Sequence, residues 1–255
     1  MVYSSERKRI YLSSAQADVY PEGKDEHAVV EFSLSEDITS DGMKAVWVRV
    51  VSACIPNTIY NVPSNKNTIA IATGGGAPTV YTLAVRNYTV AELIVALDAA
   101  LAPVNVTVTH NSNLARLTFA KSTAGDATLV YEASGLANII GMAGDNVIIP
   151  GSGSVTMPRA IDLAGARSIL ISSPNLQTHS LDSATQAASR PYVIASVPLT
   201  VTFGSLQSYT NPSDMLLHTV TRHVKDLRME LYDENFERVY LSGSRWSVVL
   251  EVDVV

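Results

Sequence analysis

The chain has 255 residues, 47% of them hydrophobic, and a formal net charge of -6. That is enough apolar material for one large β domain or for a domain with an insertion, and the acidic balance speaks against a protein that coats nucleic acid. A single cysteine, Cys54, excludes an intrachain disulfide, and no segment approaches the roughly 18 consecutive apolar residues of a membrane span.

In chain order, RIYLSS (9–14), HAVVEFSL (27–34) and AVWVRVVSACI (45–55) read as strands rich in β-branched and aromatic residues, punctuated by PEGK and TSDG. In VVEFSL, Val30, Phe32 and Leu34 alternate with Glu31, Ser33 and Ser35, the pattern of a half-buried strand. Cys54 falls inside the third apolar run and is expected to be a buried small hydrophobe. The opening MVYSSERKRIYL sets its charges beside a strand pattern instead of a signal-peptide core, so no export route is expected. Arg7, Lys8 and Arg9 there read either as a solvated arm ahead of the first strand or as contacts to an acidic partner.

The strand TIAIAT leads to Gly74, Gly75 and Gly76, which neither open a helix nor precede a Lys-Ser/Thr pair. They are expected to form a connection and not a phosphate cradle. After the strand TVYTLAV comes one convincing helix. Thr89 and Glu92 are spaced as a capping box, Val90, Leu93, Leu97, Ala100 and Leu101 make one apolar stripe, and Pro103 closes it. VNVTVTH, ARLTFAK and ATLVYE follow as short strands. SGLANIIGMAG suggests a helical turn or two capped by Ser134 and stopped by Gly141, and GDNVIIPGSGSVTMP reads as a loose stretch.

From Arg159 onward AIDLAG, RSILISS, YVIASVPLTVTFG, DLRMELYD and RVYLSG restore the β pattern. LYDENFERVYL is expected to be a hairpin turning at Asp233, Glu234 and Asn235. In RWSVVLEVDVV, Trp246, Val248, Leu250, Val252 and Val254 alternate with Ser247, Val249, Glu251 and Asp253, which predicts a long antiparallel strand against a core. The expected organisation is all-β with a small α+β insertion: residues 1–72 and 159–255 form one β-sandwich, and residues 73–158 form an inserted β-α-β domain whose helix covers a small sheet.

Catalytic constellations are not found. The histidines at 27, 110, 179, 218 and 223 are scattered, so no metal site is expected. HSLD (179–182) lacks a nucleophile elbow. The pairs Asp25-Glu26, Glu36-Asp37 and Asp233-Glu234 are explained by turn chemistry. The chain is expected to be no enzyme and to use no cofactor.

The stretch RIYLSSAQADVYPEGKDEHAVVEFSLSEDI, continuing through AVWVRVVSACIPNTIYNVPSNKNTIAI, resembles the opening of the penton (vertex) proteins of virophages, polinton-like viruses and related large double-stranded DNA viruses. YTLAVRNYTVAELIVALDAAL, VTVTHNSNLARLTFA and SGLANIIGM resemble their inserted segment, and SGSRWSVVLEVDVV their closing strand. The resemblance implies a single jelly roll that forms a homopentamer at a capsid vertex, with the insertion projecting outward. It also implies the major capsid protein as a partner, a fibre or host receptor for the insertion, and a place in the virion after assembly inside the infected host cell. No specific nucleic-acid partner and no membrane span are expected from the charge and the apolar runs. The alternative is a receptor-binding or fibre-like minor capsid protein, which would trimerise.

Overall fold

The computed structural model describes residues 6–21, 28–39, 45–176, 192–213, 216–219 and 223–254. The first strands are β1 (Glu6–Ser13), β2 (Val29–Thr39) and β3 (Val46–Pro56). Then come β4 (Thr68–Thr73), β5 (Thr79–Thr82), the helix α1 (Val90–Leu101), β6 (Val106–Asn111), β7 (Arg116–Lys121), β8 (Ala127–Leu129), β9 (Val147–Ile149) and β10 (Ser154–Thr156). The last are β11 (Ser168–Ser172), β12 (Val193–Pro198), β13 (Leu206–Thr210), β14 (Leu217–Thr219), β15 (His223–Tyr232) and β16 (Ser247–Val254). The chain divides into two compact units, one of residues 1–59 with 166–255 and one of residues 60–165.

The first unit holds two antiparallel sheets. One runs β1-β16-β3-β13, with β14 also paired to β3, and the other runs β12-β11-β15-β2. The inner faces of the two sheets share one core: Val48 and Leu250 from the first sheet, Phe32, Ile171, Leu227 and Met229 from the second. The expected alternation of β16 is found in the burial of Trp246, Val248, Leu250, Val252 and Val254. The turn of the expected hairpin is found: Asp233 Oδ1 accepts from the backbone N–H groups of Asn235 (2.8 Å) and Glu237 (2.9 Å), and Asp233 N–H donates to Glu237 O at 2.8 Å. Beyond this turn RVYLSG makes a single bridge, Tyr232 to Arg238, instead of a strand.

Cys54 corrects the reading of the third apolar run. It is only partly buried, because β3 contains a bulge. The register against β16 shifts between Val249, opposite Ser52, and Leu250, opposite Val50. Val51 is therefore an extra residue, and it inverts the alternation. Val46, Val48 and Val50 point inward before it and Ala53 and Ile55 after it, which turns Cys54 outward. Asn211 secures the bulge, its N–H donating to Val51 O (2.9 Å) and its Nδ2 to Val50 O (3.0 Å).

The second unit contains two small antiparallel sheets, β5-β4-β8-β9 and β10-β7-β6. Its boundaries differ from residues 73–158. TIAIAT pairs with β5 and β8, which places β4 in this unit, and Ile161 and Asp162 donate backbone bonds to Ala115 O and Ile139 O within it. Pairing partners, not the Gly-rich connection, therefore set the division. GDNVIIPGSGSVTMP is not loose: β9 pairs with β8 and β10 with β7.

The helix forms as expected. Thr89 Oγ1 accepts from Glu92 N–H at 3.3 Å. Glu92 Oε2 accepts from the Thr89 N–H and from the Thr89 hydroxyl, both at 2.9 Å, and these two bonds hold the Glu92 carboxyl below its usual range. Leu93, Leu97 and Leu101 are fully buried. The flanking strands do not make a β-α-β pair, however, since β5 and β6 lie in different sheets. Asn105, at φ 57, reverses the chain after Pro103, and β6 then runs back along α1, where Asp98 Oδ1 accepts from Val108 N–H. Ser134 is not a cap either. Its buried hydroxyl accepts from Ala70 N–H (2.9 Å) and donates to Val130 O (2.6 Å), tying the following turn to β4. Gly141 does stop that turn: it sits at φ +88, and a Cβ there would collide with Arg159 O.

Candidate functional site

The basic residues near the N-terminus are part of β1. The strand begins at Glu6, three residues before the expected start, and its register sets Arg7 opposite Asp253 and Arg9 opposite Glu251. Glu251 in turn faces Arg49 on β3. Arginines and carboxylates at every second position thus meet on the outer face of the sheet, opposite to the core. Arg7 and Arg9 are held within the chain and are not a free arm.

Glu251 sits at the centre of this face with 1% of its side chain exposed. Its Oε1 lies 3.0 Å from Arg49 Nη2 and 3.6 Å from Arg7 Nη1, and its Oε2 lies 3.5 Å from Arg9 Nε. Arg49 Nε also donates to Oε1 at 3.0 Å, and its Nη1 donates to Ser213 O at 3.0 Å. Arg7 Nη2 reaches Asp253 Oδ2 at 3.4 Å, while Asp253 Oδ1 is buried with no hydrogen-bond partner among the described residues. Three guanidinium groups face two carboxylates, which makes burial of the carboxylates tolerable. The side chains of Arg7 and Arg9 remain 56% and 58% exposed. A guanidinium carries five donors, so both retain capacity for a further acceptor.

Lys8 points to the other face of β1 and pairs with Glu36 of β2 at 3.1 Å, joining the edges of the two sheets. Beside the arginines, Trp47 meets His218 edge-on, with ring centroids 5.1 Å apart. Period-two charges on both the first and the last strand were the sequence signal for this network; what they lacked was the register that matches them.

The remaining candidates stay apart. His223 lies 3.9 Å from Asp37, and His110 is exposed on β6. His27, Asp25-Glu26 and HSLD (179–182) fall outside the described residues. Gly74 and Gly75 adopt positive φ in the connection from β4 to β5. Among the described residues, no group of three or more His, Cys, Asp and Glu is placed to hold a metal ion, and no helix is long and apolar enough to cross a membrane.

No family model and no curated protein matches the chain. Among solved structures the likeness is to virus proteins. The mavirus penton protein is similar in fold at a TM-score of 0.50 with 10% sequence identity, over 99% of this chain and 100% of that one. A chain in the structure of the Sputnik virophage gives a TM-score of 0.45 at 11% identity, covering 97% of each chain. The chain therefore shares the fold of a virophage penton protein, as the order of its elements led us to expect.

Proposed function

We propose that this chain is a structural capsid protein that fills the five-fold vertices of an icosahedral double-stranded DNA virus as a homopentamer. The observation that carries this reading is the likeness to the mavirus penton protein across nearly the full length of both chains. Connectivity agrees with it. The orders β1-β16-β3-β13 and β2-β15-β11-β12 support a jelly roll made of two Greek keys, with residues 60–165 falling between β3 and β11 in the chain. A sandwich of this kind buries its sheets against each other and leaves its end loops and edges for neighbours. In this reading the inserted unit projects from the vertex, where it meets a fibre or a host receptor, and the major capsid protein surrounds the ring. Arg7, Lys8 and Arg9 lie on an edge strand, where Arg7 and Arg9 contact an acidic surface of a neighbour through their spare donors. The role needs no catalysis and no cofactor, and it places the protein in the virion after assembly inside the host cell.

The test is electron microscopy of particles assembled with and without this chain. Density missing at the five-fold positions in its absence is the expected result, and complete vertices without it would overturn the proposal. Native mass measurement adds a second check, since a trimer would favour the fibre-like alternative.

A further inference from the structure

Strand β1 ends its sheet: β16 pairs with one of its sides, and among the described residues no strand pairs with the other. Ser14 N–H donates to Trp246 O at 2.9 Å, in the same register that sets Ser13 opposite Ser247 and Glu6 opposite Val254. Antiparallel ladders exchange bonds at every second pair, so Leu12, Ile10 and Lys8 turn their backbone groups toward β16. Arg7, Arg9 and Tyr11 therefore turn their N–H and C=O groups away from the sheet, and among the described residues no backbone bond outside the ladder reaches them. The same three residues put their side chains on the outer face, where Tyr11 is 73% exposed.

The edge strand β2 of the other sheet is treated differently. Glu31 exchanges backbone bonds with Val19 at 3.0 and 3.3 Å, and Ser33 N–H donates to Asp18 Oδ2 at 2.7 Å, so that edge is blocked. An edge left open is a template for a further strand, and its side chains decide which strand it accepts. Antiparallel pairing of two β1 edges about Lys8 or Arg9 sets like charges opposite each other, which disfavours a second copy of this chain. On the outer face the guanidinium groups of Arg7, Arg9 and Arg49 meet only the carboxylates of Glu251 and Asp253, which leaves one positive charge over. Both the backbone and the charge of this edge are thus suited to an acidic strand.

We infer that β1 takes up an extended acidic segment of a partner protein as a further antiparallel strand, bonded to the backbone of Arg7, Arg9 and Tyr11. Along the partner, an apolar residue opposite Tyr11 is followed two and four positions later by carboxylates opposite Arg9 and Arg7, because only alternate residues share a face. Addition stops after Ser13, where a single 3-10 turn of Ser14–Gln16 takes the chain out of the sheet. The inference rests on the vertex reading only for the source of the segment, a neighbouring capsid protein, and it makes the contact of Arg7 and Arg9 a strand-to-strand one.

The experiment uses the full-length chain and a synthetic peptide blocked at both ends, Thr-Val-Thr-Glu-Thr-Glu-Thr, with amide hydrogen exchange read residue by residue. The peptide is expected to slow exchange at Arg7, Arg9 and Tyr11, while the amides of Lys8 and Ile10, already bonded to β16, change little. Glutamine in place of both glutamates, or Arg7→Gln with Arg9→Gln in the protein, is expected to weaken binding roughly three- to tenfold, as for two cross-strand charge pairs. Methylation of the two glutamate backbone nitrogens keeps the charge and is expected to abolish binding, since those N–H groups face β1. Unchanged exchange at the three amides up to the solubility limit of the peptide would overturn the inference, and so would equal protection by the methylated peptide. Neither result touches the vertex reading, which stands or falls on density at the five-fold positions. Complete vertices without the chain, together with protection by the peptide, would overturn that reading and leave the strand addition standing.

Discussion

Asn61 and Tyr88 hold each other by reciprocal bonds: Asn61 Nδ2 donates to Tyr88 O and Tyr88 N–H donates to Asn61 Oδ1, both at 2.8 Å. The same amide also donates to Leu163 O at 3.1 Å. One buried side chain therefore ties together the entry of the second unit, the segment just before α1, and the exit. Asn61→Ala would leave a buried N–H and two carbonyls without partners, which costs on the order of 3 kcal/mol. Urea denaturation followed by hydrogen exchange in residues 60–165 checks this. A loss below about 1 kcal/mol would show that water replaces the amide.

Leu97 is fully buried on α1 within the core of the second unit. Leu97→Ala is expected to cost about 3 kcal/mol, the usual loss for a leucine truncated in a well-packed core. The amides of α1 and β6 should exchange faster, while those of β3 and β16 keep their protection. Equal acceleration in both sets would mean that the two units unfold as one.

Glu251 and its arginines are expected to contribute unequally. Glu251→Gln removes the one charge that Arg49, Arg7 and Arg9 share, and should cost on the order of 3 kcal/mol because the mostly buried Arg49 loses the carboxylate that accepts from both its Nε and its Nη2. Arg7→Ala and Arg9→Ala should each cost no more than about 1 kcal/mol, since both heads are largely in solvent. Thermal unfolding of the three variants decides the order.

Tyr232 gives a dependence on alkaline pH. Burial first, and then its hydrogen bond to the Glu230 carboxylate, push its hydroxyl well above the ordinary tyrosine value. The folded chain therefore keeps this proton after the unfolded chain has released it. The stabilisation is intact below about pH 10 and declines as the pH rises from there toward the folded value. Tyr232→Phe removes the titration. It should be less stable than wild type at neutral pH but lose less further stability between about pH 9 and pH 11. Parallel loss of stability in both proteins over that range would refute the assignment.

By itself the sequence determined what depends on neighbours along the chain. Thr89 and Glu92 cap the helix and Leu93, Leu97 and Leu101 line its buried stripe, because these positions are fixed by the turn of one helix. The alternation from Val248 to Val254 marked a core-facing strand for a similarly local reason. Tertiary structure decided the rest. The bulge at Val51 depends on strand β16, and nothing inside AVWVRVVSACIP announces that the alternation inverts ahead of Cys54. TIAIAT has the same local pattern in either unit, and only its pairing with β5 and β8 assigns it. Glu251 lies 242 residues from Arg9 and 202 from Arg49 along the chain, and a charge on an outer face becomes a buried one only when register brings its counterions across the strands. Short-range sterics and hydrogen bonding are written in the local sequence, whereas register, bulges and charge matching arise from which strands meet.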